Sequence, residues 1–172
     1  MVTLKKISIL DDDMKDCIAL EFLPEQTGFV AENAISLAEA YDTNKAYAEN
    51  GEGDQAVPYA VYENGNMVGF VMYGYFPAGS SEGGDEPYYN DEPHYYIWRL
   101  FIDKNHQGRG LGRKTVDLIM EEIKRKPCGE ASYCYTSYAP KNAASRATFA
   151  SYGYEEDGRV ISGEVVARYK LP

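Results

Sequence analysis

An α/β fold of the α+β kind is what this sequence predicts, with about four helices and a mixed, mostly antiparallel sheet of about seven strands. Three observations carry that reading. Residues 95–125 pass from an apolar strand (Ile97, Trp98, Leu100, Phe101, Ile102) through Gln107-Gly108-Arg109-Gly110-Leu111-Gly112 into a helical pattern. Asn64-Gly65 stands between two apolar runs as a two-residue hairpin turn. Gly153-Tyr154 leads into a closing hairpin. A meander followed by strand–helix–strand needs one parallel pair, because that crossover is right-handed and returns the chain in the same direction.

In chain order, residues 2–10 alternate loosely and read as the first strand. Asp11, Asp12 and Asp13 offer an N-cap and first-turn charges for a helix over 14–22. Pro24 and Gly28 break it, and a second helix follows over 31–49, with Ala34, Leu37, Ala38, Tyr41 and Ala48 along one side. Residues 55–63 and 66–76 form the hairpin. Pro58 implies a bulge or an open side, and Gly69 and Gly74 mark close approaches. Residues 77–93 are a long acidic loop carrying Glu82, Asp85, Glu86, Tyr88, Tyr89, Asp91 and Glu92; such loops are either functional or plain solvated chain. Strand 94–102, the glycine turn and a helix reaching about Arg125 come next. A strand over 131–138, parallel to 94–102, a short helix over 142–152 and strands 155–161 and 164–171 complete the chain.

The length of 172 residues predicts one domain over 1–172. A net charge of −10 argues against nonspecific nucleic-acid binding and favours cationic small molecules. Cys17, Cys128 and Cys134 have no C-x-x-C spacing and read as free thiols, with no zinc site and no metal expected. No apolar run approaches 18 residues and no secretory segment is evident, so a cytoplasmic protein with no membrane partner is expected.

The glycine turn carries the chemistry. A helix that opens there points free N–H groups and its positive dipole end outward, an anion site suited to a pyrophosphate. A G-x-G-x-x-G fingerprint fails at Arg113, and a P-loop fails there too, although Lys114 and Thr115 fit it. The pattern Q/R-x-x-G-x-G/A is met by Gln107, Gly110 and Gly112. A glycine-rich turn without a ligand is the plain alternative.

That pattern resembles the pyrophosphate loop of the GNAT N-acetyltransferases, and the order of elements resembles that superfamily over nearly the whole chain. A late run from Asn142 to Gly153-Tyr154 is similar to a second GNAT motif, with Ser145, Thr148 and Phe149 where Ala, Leu and Tyr are common. YIWRLFID, SY-x-P-x-N and GEVVARYKL look more narrowly like the bacterial spermine/spermidine (diamine) acetyltransferases. The resemblance implies that the parallel strands splay around acetyl-CoA as co-substrate. Backbone groups of Leu100, Phe101 and Ile102 would pair with pantetheine. Gln107, Gly108, Arg109, Gly110, Leu111, Gly112 and Arg113 would hold the pyrophosphate, and Asn142 and Ser145 would contact the cofactor from the other side.

The implied reaction is direct attack of a primary amine on the thioester in a ternary complex. A small amine, a polyamine or diamine above all, is the expected partner, and a homodimer is a candidate assembly. No Ser-His-Asp or Cys-His arrangement is evident for a covalent route. His94 and His106 are weak acid–base candidates. Two positions depart from the family. Trp98 stands where some polyamine enzymes have a carboxylate, and Phe149 where a Tyr general acid is common. Tyr152, three residues on, is therefore the candidate acid, with Tyr138 as another. A CoA-binding sensor without turnover, or a protein-amine or aminoglycoside acetyltransferase, remains open on these residues.

Overall fold

A computed structural model describes residues 1–8, 13–26, 28–29, 31–80 and 92–172. Leu10, Asp11, Asp12 and the acidic loop residues Glu82, Asp85, Glu86, Tyr88, Tyr89 and Asp91 lie outside the described residues. The elements run β1 (Val2–Lys6), α1 (Asp13–Ala19), a 3-10 turn (Pro24–Gln26), α2 (Asn33–Asn50), β2 (Gln55–Glu63), β3 (Asn66–Phe76), β4 (His94–Ile102), α3 (Leu111–Ile123), β5 (Tyr133–Tyr138), α4 (Ala143–Tyr152), β6 (Glu155–Ile161) and β7 (Glu164–Lys170). The seven strands form one sheet in the order β1-β2-β3-β4-β5-β7-β6, and β4–β5 is its parallel pair.

Strand alternation divides the core between the two faces of the sheet. Val61, Val71, Tyr73, Tyr95 and Ile97 pack with Val116, Ile119, Met120 and Ile123 of α3 and Phe149 of α4. Phe70, Met72 and Phe101 pack on the other face with Cys17 of α1 and Ala40 of α2.

Several expectations are corrected. The regular part of β1 ends at Lys6, and α1 spans only Asp13–Ala19. Asp13 does more than cap. Its carboxylate pairs with Lys5 of β1 at 2.6 Å and accepts from the Tyr62 hydroxyl of β2 at 2.6 Å, and both contacts hold its carboxyl below the usual range. The buried face of α2 is Asn33, Ser36, Ala40 and Thr43, whereas Tyr41 points outward. Two of these polar groups meet partners there: Asn33 Nδ2 donates to the Cys17 carbonyl at 2.8 Å, and Ser36 Oγ accepts from Arg99 Nε at 3.2 Å. Pro58 lies just past the end of β1, where its carbonyl still accepts from Ile7 N at 3.1 Å, while the irregularity in β2 falls at Val61/Tyr62.

Two features of β4 prepare the site. Its register against β3 slips between Met72↔Arg99 and Tyr73↔Ile97, leaving Trp98 as an extra, bulged residue. The bulge turns both Trp98 and Arg99 towards the α2 side, where the Arg99 guanidinium reaches Glu39 at 3.0 Å. Pairing with β5 stops after Tyr95↔Cys134 and Tyr96↔Tyr135. Beyond that point the strands part, with Thr136 Oγ1 donating to the Ile97 carbonyl at 3.2 Å.

Candidate active site

The parting of β4 and β5 opens a groove built from two joined cavities of about 400 and 590 Å³. They share Phe29, Leu100, Asn142 and Ser145. The smaller lies at the start of α3 and is lined by Leu100, Phe101, Ile102, Gln107, Gly108, Gly110, Leu111, Gly112 and Arg113, with Asn142 and Ser145 opposite. These residues, scattered over 46 positions of sequence, were all expected at one ligand.

Local geometry explains the loop. Gly108 and Gly110 have φ of 74° and 73°, a conformation that costs residues with a Cβ and leaves glycine unstrained. The first intrahelical bond of α3 runs from Lys114 N to Gly110 O at 3.2 Å. The N–H groups of Leu111, Gly112 and Arg113 precede it and project from the helix end into the cavity these residues line. Gln107 fixes the loop to the strand. Its Nε2 donates to the Ile102 carbonyl at 2.8 Å and to Gln26 Oε1 at 2.7 Å, and Gln26 Nε2 donates back at 3.0 Å. Thus the turn after α1 is tied to the anion loop, a link that sequence spacing gives no sign of.

The two arginines separate. Arg113 lines the cavity and reaches Asp117 one turn on at 2.8 Å. Arg109 lines neither cavity. Glu63 holds its guanidinium at 2.6 Å, and His106 Nδ1 lies 3.3 Å from it. Asn142 caps α4, its Oδ1 accepting from Ser145 N at 3.1 Å.

The larger cavity is lined by Phe76, His94, Tyr96, Trp98, Arg99, Ser137, Tyr138, Phe149 and Glu164 among others. Phe149 is buried, with its ring stacked on Tyr138 at 6.3 Å and edge-on to Tyr154 at 5.2 Å. The Tyr138 hydroxyl donates to Glu156 Oε1 at 3.0 Å, and burial followed by that carboxylate pushes its pKa up. Tyr152 is not brought to the groove. Three residues on a helix rotate a side chain about 60° from Phe149, onto the α3 side. There its ring lies under Arg113 and Lys124, each 5.4 Å from the centroid, and packs on Tyr169. We expect Tyr152→Phe to keep turnover within about twofold of native, since general-acid loss typically costs ~10²-fold or more. A loss of that size in steady-state assay would return Tyr152 to the chemistry.

His94 is buried in the cavity wall against the Phe76 ring at 5.3 Å, and its Nδ1 meets the Glu92 carbonyl at 3.1 Å. Burial lowers its pKa below the ordinary 6.5. The unfolded chain therefore binds this proton more readily than the folded one. His94 contributes stability above about pH 6.5, and that contribution is lost as pH falls. Chemical denaturation at pH 7.5 and 5.5 should show lower stability in acid, with the difference reduced in His94→Gln.

None of the described cysteines is a ready nucleophile. Burial pushes the Cys17 and Cys134 thiols up to about 12 and raises Cys128 as well. No helix among the described residues is long and apolar enough to cross a membrane.

Known proteins resemble this chain over most of its length. The family model for the acetyltransferase (GNAT) family matches residues 19–154. The spermine/spermidine N(1)-acetyltransferase of Bacillus subtilis (strain 168) is 24% identical over 162 residues, covering 92% of this chain and 93% of that protein. A probable spermine N(1)-acetyltransferase of Bacillus subtilis subsp. natto is 25% identical over the same shares. Among solved structures, AAC(6')-Ib with ribostamycin and coenzyme A aligns at TM-score 0.69 and 20% identity, covering 98% of this chain and 93% of that one. The PaiA N-acetyltransferase of Thermoplasma acidophilum with coenzyme A aligns at TM-score 0.61 and 16% identity, covering 99% of each. At those identities the solved structures speak for the fold.

Proposed function

Because this chain belongs to the GNAT acetyltransferase family and is an acetyl-CoA-dependent N-acetyltransferase, we propose that its acceptor is a small polyamine or diamine. One observation carries the reading. The larger cavity joins a carboxylate, Glu164, to the aromatic side chains Phe76, Tyr96 and Trp98. Carboxylates pair with ammonium groups, and aromatic faces attract cations by about 0.5–1 kcal/mol each at exposed sites. Among the described lining residues, the cation Arg99 is already paired with Glu39. The net charge of −10 adds a long-range attraction for a molecule with several ammonium groups. The distant spermine/spermidine relatives support the same substrate class.

Acetyl-CoA would lie along the groove, with its pyrophosphate at the N-terminus of α3 and its pantetheine beside the unpaired edge of β4. The N–H groups there supply oxyanion stabilisation as the thioester carbonyl gains charge, usually a large catalytic contribution. The amine attacks from the larger cavity. Phe149 supplies no proton to the departing sulfur, but a thiol of ordinary acidity, about 8.5 for cysteine, leaves tolerably as an anion.

The test is an amine panel with detection of released CoA and of the N-acetyl product. Spermidine, spermine and diamines should be acetylated, with KM rising as ionic strength goes from about 0.01 to 0.15 M, because the Debye length shrinks from ~30 to ~8 Å. Inert polyamines beside an acetylated aminoglycoside, lysine side chain or protein N-terminus would replace the proposed acceptor.

A further inference from the structure

Three side chains in the larger cavity form a chain whose direction is fixed by chemistry. The Ser137 hydroxyl of β5 hydrogen-bonds Glu164 Oε2 at the start of β7. A carboxylate only accepts, so Ser137 is the donor. The Tyr96 hydroxyl of β4 lies 2.6 Å from Ser137 Oγ and therefore donates to it. All three residues are partly exposed and line the cavity that adjoins the parted strands. The hydrogen bonds bridge β4 to β5 just past the last paired residue, Tyr96, where the acceptor nitrogen must meet the thioester.

We propose that Glu164 is the catalytic base of the transfer, held in place by Ser137 and, through it, by Tyr96. The inference deepens the proposed function and rests on the acceptor entering by the larger cavity. The step balances simply. The Glu164 carboxylate takes a proton from the acceptor ammonium, leaving a lone pair on nitrogen. That pair forms the C–N bond at the thioester carbonyl carbon, and the C–S bond breaks with its electrons on sulfur. The amide nitrogen sheds its second proton, the CoA thiolate ends as the thiol with one proton, and the net proton released passes from Glu164 to water. Ser137 and Tyr96 are positioning residues. They hold one carboxylate oxygen, so the other is presented to the amine in a defined direction.

The surroundings leave this role to Glu164. The neighbouring elements carry His94 and Arg99 on β4, Tyr138 on β5, Arg146 on α4, Glu156, Asp157 and Arg159 on β6, and Arg168 on β7. Tyr138 and Arg146 both end on Glu156, at 3.0 and 2.6 Å. Arg159 pairs with Asp157, and Arg99 with Glu39. Arg168 lies over the Tyr133 ring, 4.9 Å from its centroid. His94 has its pKa lowered by burial, so it does not titrate between pH 7 and 9.

The experiment measures kcat and KM of the full chain at pH 7, 8 and 9, with whichever primary amine the native enzyme acetylates fastest. A failure of the polyamine reading then changes the acceptor and not the test. Glu164→Gln should lose about 10²-fold in kcat at pH 7. Without the base, only amine already deprotonated by water reacts, and an amine near pKa 10.4 gains that form about tenfold per pH unit. The deficit should therefore close about tenfold per unit and nearly vanish at pH 9. Glu164→Asp should keep the native pH dependence at a lower rate. Ser137→Ala should lose roughly 5–10-fold in kcat with CoA affinity and melting temperature unchanged, as expected for lost orientation. A Glu164→Gln enzyme within twofold of native at pH 7, or with the same deficit at all three pH values, would overturn the proposal.

Discussion

Gly112→Asp should weaken CoA binding by about 30–150-fold. Gly112 lines the smaller cavity in the first turn of α3, beside the N–H groups of Leu111 and Arg113. A Cβ there meets nothing nearer than Thr148 Oγ1 at 3.8 Å, so the side chain fits without moving the fold. The new carboxylate would stand about 5 Å from a pyrophosphate, and at an effective dielectric near 20 the repulsion is about 2–3 kcal/mol after screening. Gly112→Ala separates charge from bulk. It adds the same Cβ without charge, so affinity should stay within about threefold while helix stability rises by up to about 1 kcal/mol. Calorimetric titration with CoA reads both variants. Equal affinity for native and Asp proteins would move the pyrophosphate elsewhere.

Tyr95→Phe should lower stability by about 2–3 kcal/mol, or roughly 5–10 °C in melting temperature for a chain of this length. Tyr95 is fully buried beside the last paired rungs of β4 and β5. Its hydroxyl accepts from Cys128 N at 3.0 Å and from Gly129 N at 3.2 Å, and donates to the Gly129 carbonyl at 3.0 Å. One oxygen thus satisfies three backbone groups in the turn between α3 and β5. Removing it leaves those groups with no replacement partner on the Phe ring, and the cost is that of unmade bonds and not of lost area. The same turn sets where β5 starts, so the variant should also loosen the groove and raise KM for acetyl-CoA. A melting temperature within a degree of native would show that water replaces the hydroxyl at no cost.

What the sequence disclosed depended on how local the cause was. Asn64-Gly65, the apolar runs of β2 and β3, and the glycine turn before α3 are set by neighbours in the chain, and each appears where its residues predict it. The residues expected around a pyrophosphate share one cavity for the same reason, apart from Arg109. Its fate is decided by Glu63, 46 positions earlier in sequence, at the hairpin end of β2. The spacing of Tyr152 from Phe149 does not say which way an α4 with few buried residues faces. Apolarity does not mark the buried face of α2, because Asn33 and Ser36 are buried by the partners they meet across space. Trp98 as a bulge and the Tyr96–Ser137–Glu164 chain were not legible, since both follow from the register between strands far apart in the chain. An alternation count through β4 gives one hint: Trp98 and Arg99 cannot both face α2 without an extra residue.

The most direct test of the account is hydrogen exchange of the backbone amides with and without saturating CoA. The groove model places the ligand against the edge of β4 beyond Tyr96 and against the first turn of α3, where N–H groups precede the first intrahelical bond at Lys114. Bound CoA should slow exchange in residues 97–102, 107–113 and 142–145, and leave β1 and the β2–β3 turn as they were. Protection absent from 107–113, or confined to strands outside the parted pair, would contradict the groove as the acetyl-CoA site.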